Sequence, residues 1–181
     1  RTVIEGTEIP DCLMITASDV VILTMAIKDC NSGVFARGTA VVTISNVTLN
    51  ENAFGLRVDD TAQVQIENST AKNNGVDGVV AFGNSTLEIV GGSVSDNGTS
   101  FPANGINTFQ DFEGVLRLEG VTLERNSKAG LRLGTQGAVT VFDSVITDNG
   151  EDGVVVSGPS SLVNLGDGIK AGNNTITDNL L

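Results

Sequence analysis

The sequence predicts an all-β solenoid of about seven parallel rungs, and three observations carry that prediction. Apolar residues return in fixed registers every 22 to 30 residues along almost the whole of the 181-residue chain. Each register keeps its own residue class, so that one column is asparagine, another glycine and others aliphatic. Within each repeat, apolar and polar residues alternate with period 2 over runs of two to five residues, the spacing of short strands and not of a helix. A repeat of about 22 residues with three short strands is one turn of a parallel β-helix, each rung burying its inward residues against those above and below.

The elements follow in order around one rung. The first strand opens at Val20, Val42, Val64, Leu87, Leu116, Val139 and Ile169 and places Ile22, Ile44, Ile66, Ile89, Leu118, Val141 and Ala171 two residues on. The chain then bends at Thr24, Asn46, Asn68, Gly91, Gly120, Asp143 and Asn173. Apart from Thr24 these residue types adopt left-handed backbone at little cost. The second strand buries Ile27, Leu49, Ala71, Val94, Leu123, Ile146 and Ile176. Next comes an asparagine column, Asn52, Asn74, Asn97, Asn126, Asn149 and Asn179, with Cys30 at its head. Amides stacked at about 4.8 Å can donate and accept along a ladder and satisfy an inward corner. A glycine then opens the third strand, whose inward pairs run from Val34/Ala36 through Leu56/Val58 and Val79/Ala81 to Val154/Val156.

These registers, from Cys12 to Asn179, resemble the right-handed parallel β-helix repeat superfamily, whose members include pectate lyases, polygalacturonases, alginate epimerases, phage tailspikes and surface adhesins. The resemblance implies the fold and leaves the activity open, because that architecture carries many unrelated functions. The chain reads as one domain, 1–181, with an incomplete first rung over 1–11 and an inserted loop over 157–168 that holds Pro159, Leu162 and Leu165. Corners 98–104 and 109–115 are also lengthened. Neither end carries a capping helix or polar closing segment, which predicts either a piece of a longer chain or ends covered by another copy.

Composition narrows the function. A formal charge of −12 and a pI near 4.1 argue against nucleic acid as a partner. No run of 18 apolar residues is present, so no transmembrane helix is expected. Cys12 is assigned to the column of Val34 and Leu56, and Cys30 to the asparagine column. At different points of the circuit they read as two buried free thiols.

Catalytic candidates lie on the outward row of the third strand, Phe35, Arg57, Val80, Asn107, Arg132 and Val155. A glycosidase needs paired carboxylates on adjacent rungs, and this row contains none. A lyase reading leaves Arg57, Asn107 and Arg132, with Asp59, Asp60, Asp111 and Glu113 nearby. The two arginines stand three rungs apart, however, and read as solvated surface side chains. Phe101, Phe109 and Phe112 are expected to anchor the lengthened corners. Histidine, tyrosine and tryptophan are absent.

The residues just before the ladder include Asp29, Glu51, Asp96, Asp148 and Asp178, a row that Ca²⁺ could bridge or that simply keeps an edge solvated. No other cofactor is implied. Asn46, Asn68, Asn84, Asn97 and Asn173 each begin an Asn-X-Ser/Thr sequon, which matters only on a glycosylating secretory route. The expectation is a non-catalytic extracellular module with a structural, adhesive or filament-forming role, stacking head to tail. The alternative is a carbohydrate-active β-helix fragment (lyase, hydrolase or epimerase type) with a polysaccharide partner.

Overall fold

The computed structural model describes residues 2–6, 11–134, 136–157, 162–166 and 172–180. Every regular element among them is a strand, and the strands stack into three parallel sheets. Sheet one comprises Val20–Leu23, Val41–Ser45, Gln63–Glu67, Thr86–Val90, Val115–Glu119, Ala138–Phe142 and Leu162–Asn164. Sheet two comprises Thr2–Glu5, Met25–Lys28, Thr48–Asn50, Thr70–Lys72, Ser93–Ser95, Thr122–Glu124, Val145–Thr147 and Thr175–Thr177. Sheet three comprises Asp11–Ile15, Ser32–Ala36, Phe54–Val58, Val79–Ala81, Ile106–Thr108, Leu131–Leu133 and Val154–Val156.

The rows expected from the repeat are the paired rows of the sheets. Val20, Val42, Val64, Leu87, Leu116 and Val139 follow one another along sheet one. Ile27, Leu49, Ala71, Val94, Leu123, Ile146 and Ile176 do so along sheet two. Ile44, Leu56, Leu87, Ile106, Leu118, Leu131 and Ile146 are fully buried in one continuous core. Each such side chain contributes about 1.5–3 kcal/mol by burial. Rungs are thus held along the axis by strand hydrogen bonds and across it by this apolar filling.

The last rung corrects the sequence reading. Val163, not Ile169, stands opposite Val139, and Leu162–Asn164 is a strand of sheet one inside the segment taken for an inserted loop. Ile169, Ala171 and Pro159 lie outside the described residues. Leu162 and Val163, adjacent apolar residues with no period-2 alternation, make up most of that strand.

Two corners of each rung are left-handed. The bend column has φ of 51° at Thr24, 55° at Asn46, 46° at Asn68, 65° at Gly91 and Gly120, 50° at Asp143 and 47° at Asn173. The column before the ladder is left-handed as well, from 61° at Asp29 through 58° at Glu51, 53° at Asn73 and 57° at Asp96 to 50° at Arg125 and 55° at Asp148. Its richness in Asp and Asn therefore has a backbone cause that the sequence reading missed.

The asparagine column is a continuous ladder. Asn52, Asn74, Asn97, Asn126 and Asn149 each donate a side-chain amide hydrogen to the Oδ1 of the next, ending at Asn179. The backbone N–H of each, and that of Cys30, donates to the same oxygen. The remaining amide hydrogens reach back to the carbonyls of Ile27, Leu49, Ala71, Val94, Leu123 and Ile146. The glycine column lies against this ladder. A Cβ on Gly33 would come within 2.9 Å of Asn52 Nδ2, and one on Gly78 within 2.6 Å of Asn97 Nδ2. Only glycine fits beneath the amide of the following rung without displacing it.

The first rung resolves the same contact differently, and here the free-thiol expectation is overturned. Leu13, not Cys12, pairs with Val34, so Cys12 falls one place earlier, in the glycine column. Its neighbour across the rung is then the head of the asparagine column, Cys30. The two are joined in a disulfide with a Cα–Cα distance of 5.7 Å, well inside bonding reach. Where other rungs set glycine against asparagine, this one sets cysteine against cysteine.

Candidate functional site

The outward row of sheet three runs Met14, Phe35, Arg57, Val80, Asn107, Arg132, Val155 in unbroken register. Arg57 and Arg132 are separated by two intervening strands, roughly 14 Å at the usual strand spacing, so the structure does not bring them to one bond. They also differ in surroundings. Arg57 is not the solvated side chain expected: its guanidinium lies 4.5 Å from the Phe35 ring centre and 5.2 Å from that of Phe82. Nη2 is 3.5 Å from Asp59, while Nε is buried with no hydrogen-bond partner. Phe82 in turn stacks on Phe109, ring centres 4.5 Å apart. The sequence hid this chain of contacts because Phe35 belongs to the outward row and Phe82 to the following corner. Arg132 is exposed.

Between these arginines the row closes over a buried carboxylate. Asp77 Oδ1 accepts from Asn104 N at 2.6 Å and Asn104 Nδ2 at 3.1 Å, and Oδ2 accepts from Asn107 Nδ2 at 3.1 Å. Three hydrogen bonds meet the cost of burying it. They also tie the lengthened 98–104 corner to the sheet. Within the corners, Phe112 is wholly buried and anchors its segment, Phe109 does so through Phe82, and Phe101 departs from expectation at 68 % exposed. Beside Asn107 and Arg132 the 109–113 corner walls an open groove of about 420 Å³, to which Phe109, Gln110, Asp111 and Ser157 contribute.

Charged residues on the outer face of sheet one were not singled out from the sequence. Arg117 is paired along the sheet with Glu88, its Nε 3.4 Å from the carboxylate, and its Nη2 also binds Glu119. The hydrogen bond to Glu119 holds the guanidinium pKa above its ordinary value. Glu67 accepts from Gln65 at 3.0 Å on the preceding strand. Carboxylates on adjacent rungs therefore do occur, on sheet one and not on sheet three. The signal in the sequence is the charge at the outward i, i+2 positions of the first strand, Glu67, Glu88, Arg117 and Glu119.

The acidic candidates for a cation do not form a set. Asp29 is bound to Lys28 at 2.9 Å, and Asp96 to Arg125 at 2.8 Å. The Arg125 hydrogen bonds hold Asp96 below the usual carboxylate range. Among the described residues no three Asp, Glu, Cys or His side chains converge where they could hold a metal ion. Glu51, Asp148 and Asp178 occupy the same left-handed column without such a grouping. Of the sequons, Asn46, Asn68, Asn84 and Asn173 are exposed. Asn97 is 1 % exposed inside the ladder, so the folded chain cannot carry a glycan there.

Comparison with curated proteins and with solved structures gave no match. A family model described as "Right handed beta helix region" matches residues 4–115 and again 32–180. That span contains the whole asparagine ladder and nearly every strand of the three sheets, and the chain belongs to the right-handed β-helix family.

Proposed function

We propose that the chain is a non-catalytic extracellular β-solenoid module with a structural or adhesive role. The observation that carries this reading is the place of Asp77, the carboxylate buried beside the outer row of sheet three and bound by Asn107 of that row. Both its oxygens accept hydrogen bonds from Asn104 and Asn107, so it serves to hold the 98–104 corner against the sheet. The neighbouring Arg57 is committed to two rings and to Asp59. The Cys12–Cys30 disulfide supports an oxidising compartment, as outside the cell. The deciding experiment is a screen on uronate polymers, with and without Ca²⁺, for chain cleavage or epimerisation. No turnover is expected; turnover abolished by Arg132→Ala would overturn the reading.

A carbohydrate-active reading is favoured by one other observation, the Glu88–Arg117–Glu119 set on sheet one. It requires turnover in the same screen that Glu88→Gln or Glu119→Gln removes. Head-to-tail association belongs with the scaffold reading. Val156 and Ile176, on edge strands of sheets three and two, are 51 % and 45 % exposed, apolar surface suited to a further rung from a second copy. Ile176→Lys should lower concentration-dependent sedimentation, and a chain that stays monomeric at high concentration would exclude such stacking.

A further inference from the structure

We infer that the groove beside the 98–104 corner takes an arginine side chain from a basic segment of a partner protein. This rests on the adhesive reading above and names the kind of partner. Two features of the groove, about 380 Å³ in volume, have no explanation in the fold alone. The first is Glu51. Apart from Glu51 and Arg125, the left-handed column before the ladder is Asp or Asn, short polar side chains that tolerate this backbone. Arg125 is accounted for by its forked hydrogen bonds to Asp96 at 2.8 and 3.1 Å. Glu51 stands at φ 58° with a carboxylate that has no ion pair or hydrogen bond with any described residue. The second feature is Phe101, 68 % exposed in a corner that is tightly held. The backbone N–H groups of Gly98, Ser100 and Phe101 donate to the Asn74 and Gly75 carbonyls, and that of Ala103 donates to Ser127 Oγ. Asp77 closes the corner through Asn104. The corner is thus fixed in place while its largest apolar side chain is left in solvent.

Together the lining groups describe one ligand. Ala53 and Val76 contribute apolar surface, Phe101 a ring, and Glu51, Asn73 and Ser100 oxygen acceptors. No Lys or Arg is among the described residues that line the groove, so its carboxylate stands unneutralised there. An aliphatic stem ending in a planar cation matches all three parts. The protein makes the same match internally at Arg57, whose guanidinium lies against the Phe35 and Phe82 rings while Nη2 reaches Asp59. A lysine ammonium offers no plane to a ring and no fork to a carboxylate, so arginine is favoured over lysine. An anionic ligand would be repelled by Glu51, and a neutral apolar one would desolvate that carboxylate without pairing it. The groove is open to solvent, so the main chain carrying the arginine can pass over it. The net charge of −12 draws basic segments toward the molecule before these contacts form.

The test is titration of the whole chain, followed by backbone amide shifts, with a short blocked peptide of serine and alanine that carries one central arginine. The same peptide with lysine or with uncharged citrulline in that place serves as the comparison. Saturable shifts are expected at Glu51, Asn73 and Phe101 with the arginine peptide, weaker binding with lysine and none with citrulline. Glu51→Gln should weaken arginine-peptide binding about tenfold, and Phe101→Ala about fivefold. Asp19→Asn, which removes one exposed carboxylate outside the groove, should not weaken it. Glu51→Asn separates recognition from structure. It should weaken binding yet raise the thermal midpoint, because asparagine adopts left-handed backbone more readily than glutamate. Citrulline binding equal to arginine, an equal loss in Asp19→Asn, a lower midpoint in Glu51→Asn, or no saturable shifts would each overturn the inference. Such a failure leaves the non-catalytic reading standing, since the polymer screen decides that. Turnover in the screen with peptide binding intact would sink the non-catalytic reading alone.

Discussion

Replacing Asn97 by alanine removes the middle of the ladder, and the structure fixes what is lost. Asn97 Oδ1 accepts from the backbone N–H of Asn74 at 3.1 Å and from Asn74 Nδ2 at 2.9 Å. Its own Nδ2 donates to Ala71 O at 3.1 Å and Asn126 Oδ1 at 2.8 Å. After the substitution Asn74 Nδ2 still has Leu49 O, and Asn126 Oδ1 still has the Asn97 backbone N–H. The Asn74 backbone N–H loses its acceptor, and Asn74 is 0 % exposed, so water does not replace it. One orphaned buried donor costs about 1–3 kcal/mol, and the lost amide donations add about 1 kcal/mol more. A total of about 2–4 kcal/mol corresponds to a fall of roughly 5–15 °C in the thermal midpoint for a chain of this size. Circular dichroism melting beside the parent protein measures it. A midpoint within a degree of the parent would refute the ladder as a stabilising element. Asn179→Ala, at the partly exposed end of the same ladder, should cost less.

Other outcomes follow from the same geometry. Cys30→Ser should destabilise the first rungs by about 3 kcal/mol, as expected for opening an 18-residue loop. The double change Cys12→Gly with Cys30→Asn should restore much of this by extending the ladder one rung, read as melting that no longer responds to reductant. Arg57→Ala should cost about 1–2 kcal/mol through loss of the contacts to Phe35 and Phe82, while Arg132→Ala should stay within about 0.5 kcal/mol by denaturant titration. Asp96 is held below the usual carboxylate range by Arg125. Its contribution is therefore present above the ordinary carboxyl pKa of about 4 and is lost as pH falls through the lower folded value. Asp96→Asn should be slightly less stable than the parent at neutral pH, by less than about 1 kcal/mol, with the difference vanishing in acid.

The inward rows were legible because a side chain that faces the axis must match its neighbours in every rung, and that constraint repeats in the sequence. The ladder was legible for the same reason. What escaped were departures of one residue or one column. Leu13 pairs with Val34, and that single step moves Cys12 from an aliphatic column into the glycine column beside Cys30. Val163 rather than Ile169 continues the first strand, and the adjacent apolar pair Leu162–Val163 gives no period-2 signal to mark it. The Arg57 sandwich was invisible because it joins residues from two columns and depends on side-chain direction at a corner. Asp77 stands out in no column of the repeat, and nothing in the spacing reveals that a lengthened corner folds back to hold it.

The left-handed corners bear on the acidity of the whole molecule. Asp19, Asp29, Glu51, Asp60, Asp96, Asp143, Asp148 and Asp178 all sit at positive φ, and together they supply eight of the 22 acidic residues. Asparagine or glycine takes the same left-handed corner elsewhere in these columns, as at Asn46, Asn73 and Gly91. Much of the net charge of −12 thus coincides with turn chemistry. Isoelectric point and architecture are separable in this solenoid, and exchanging aspartate for asparagine at exposed corners would retune its solubility and its repulsion from anionic surfaces without touching a buried atom.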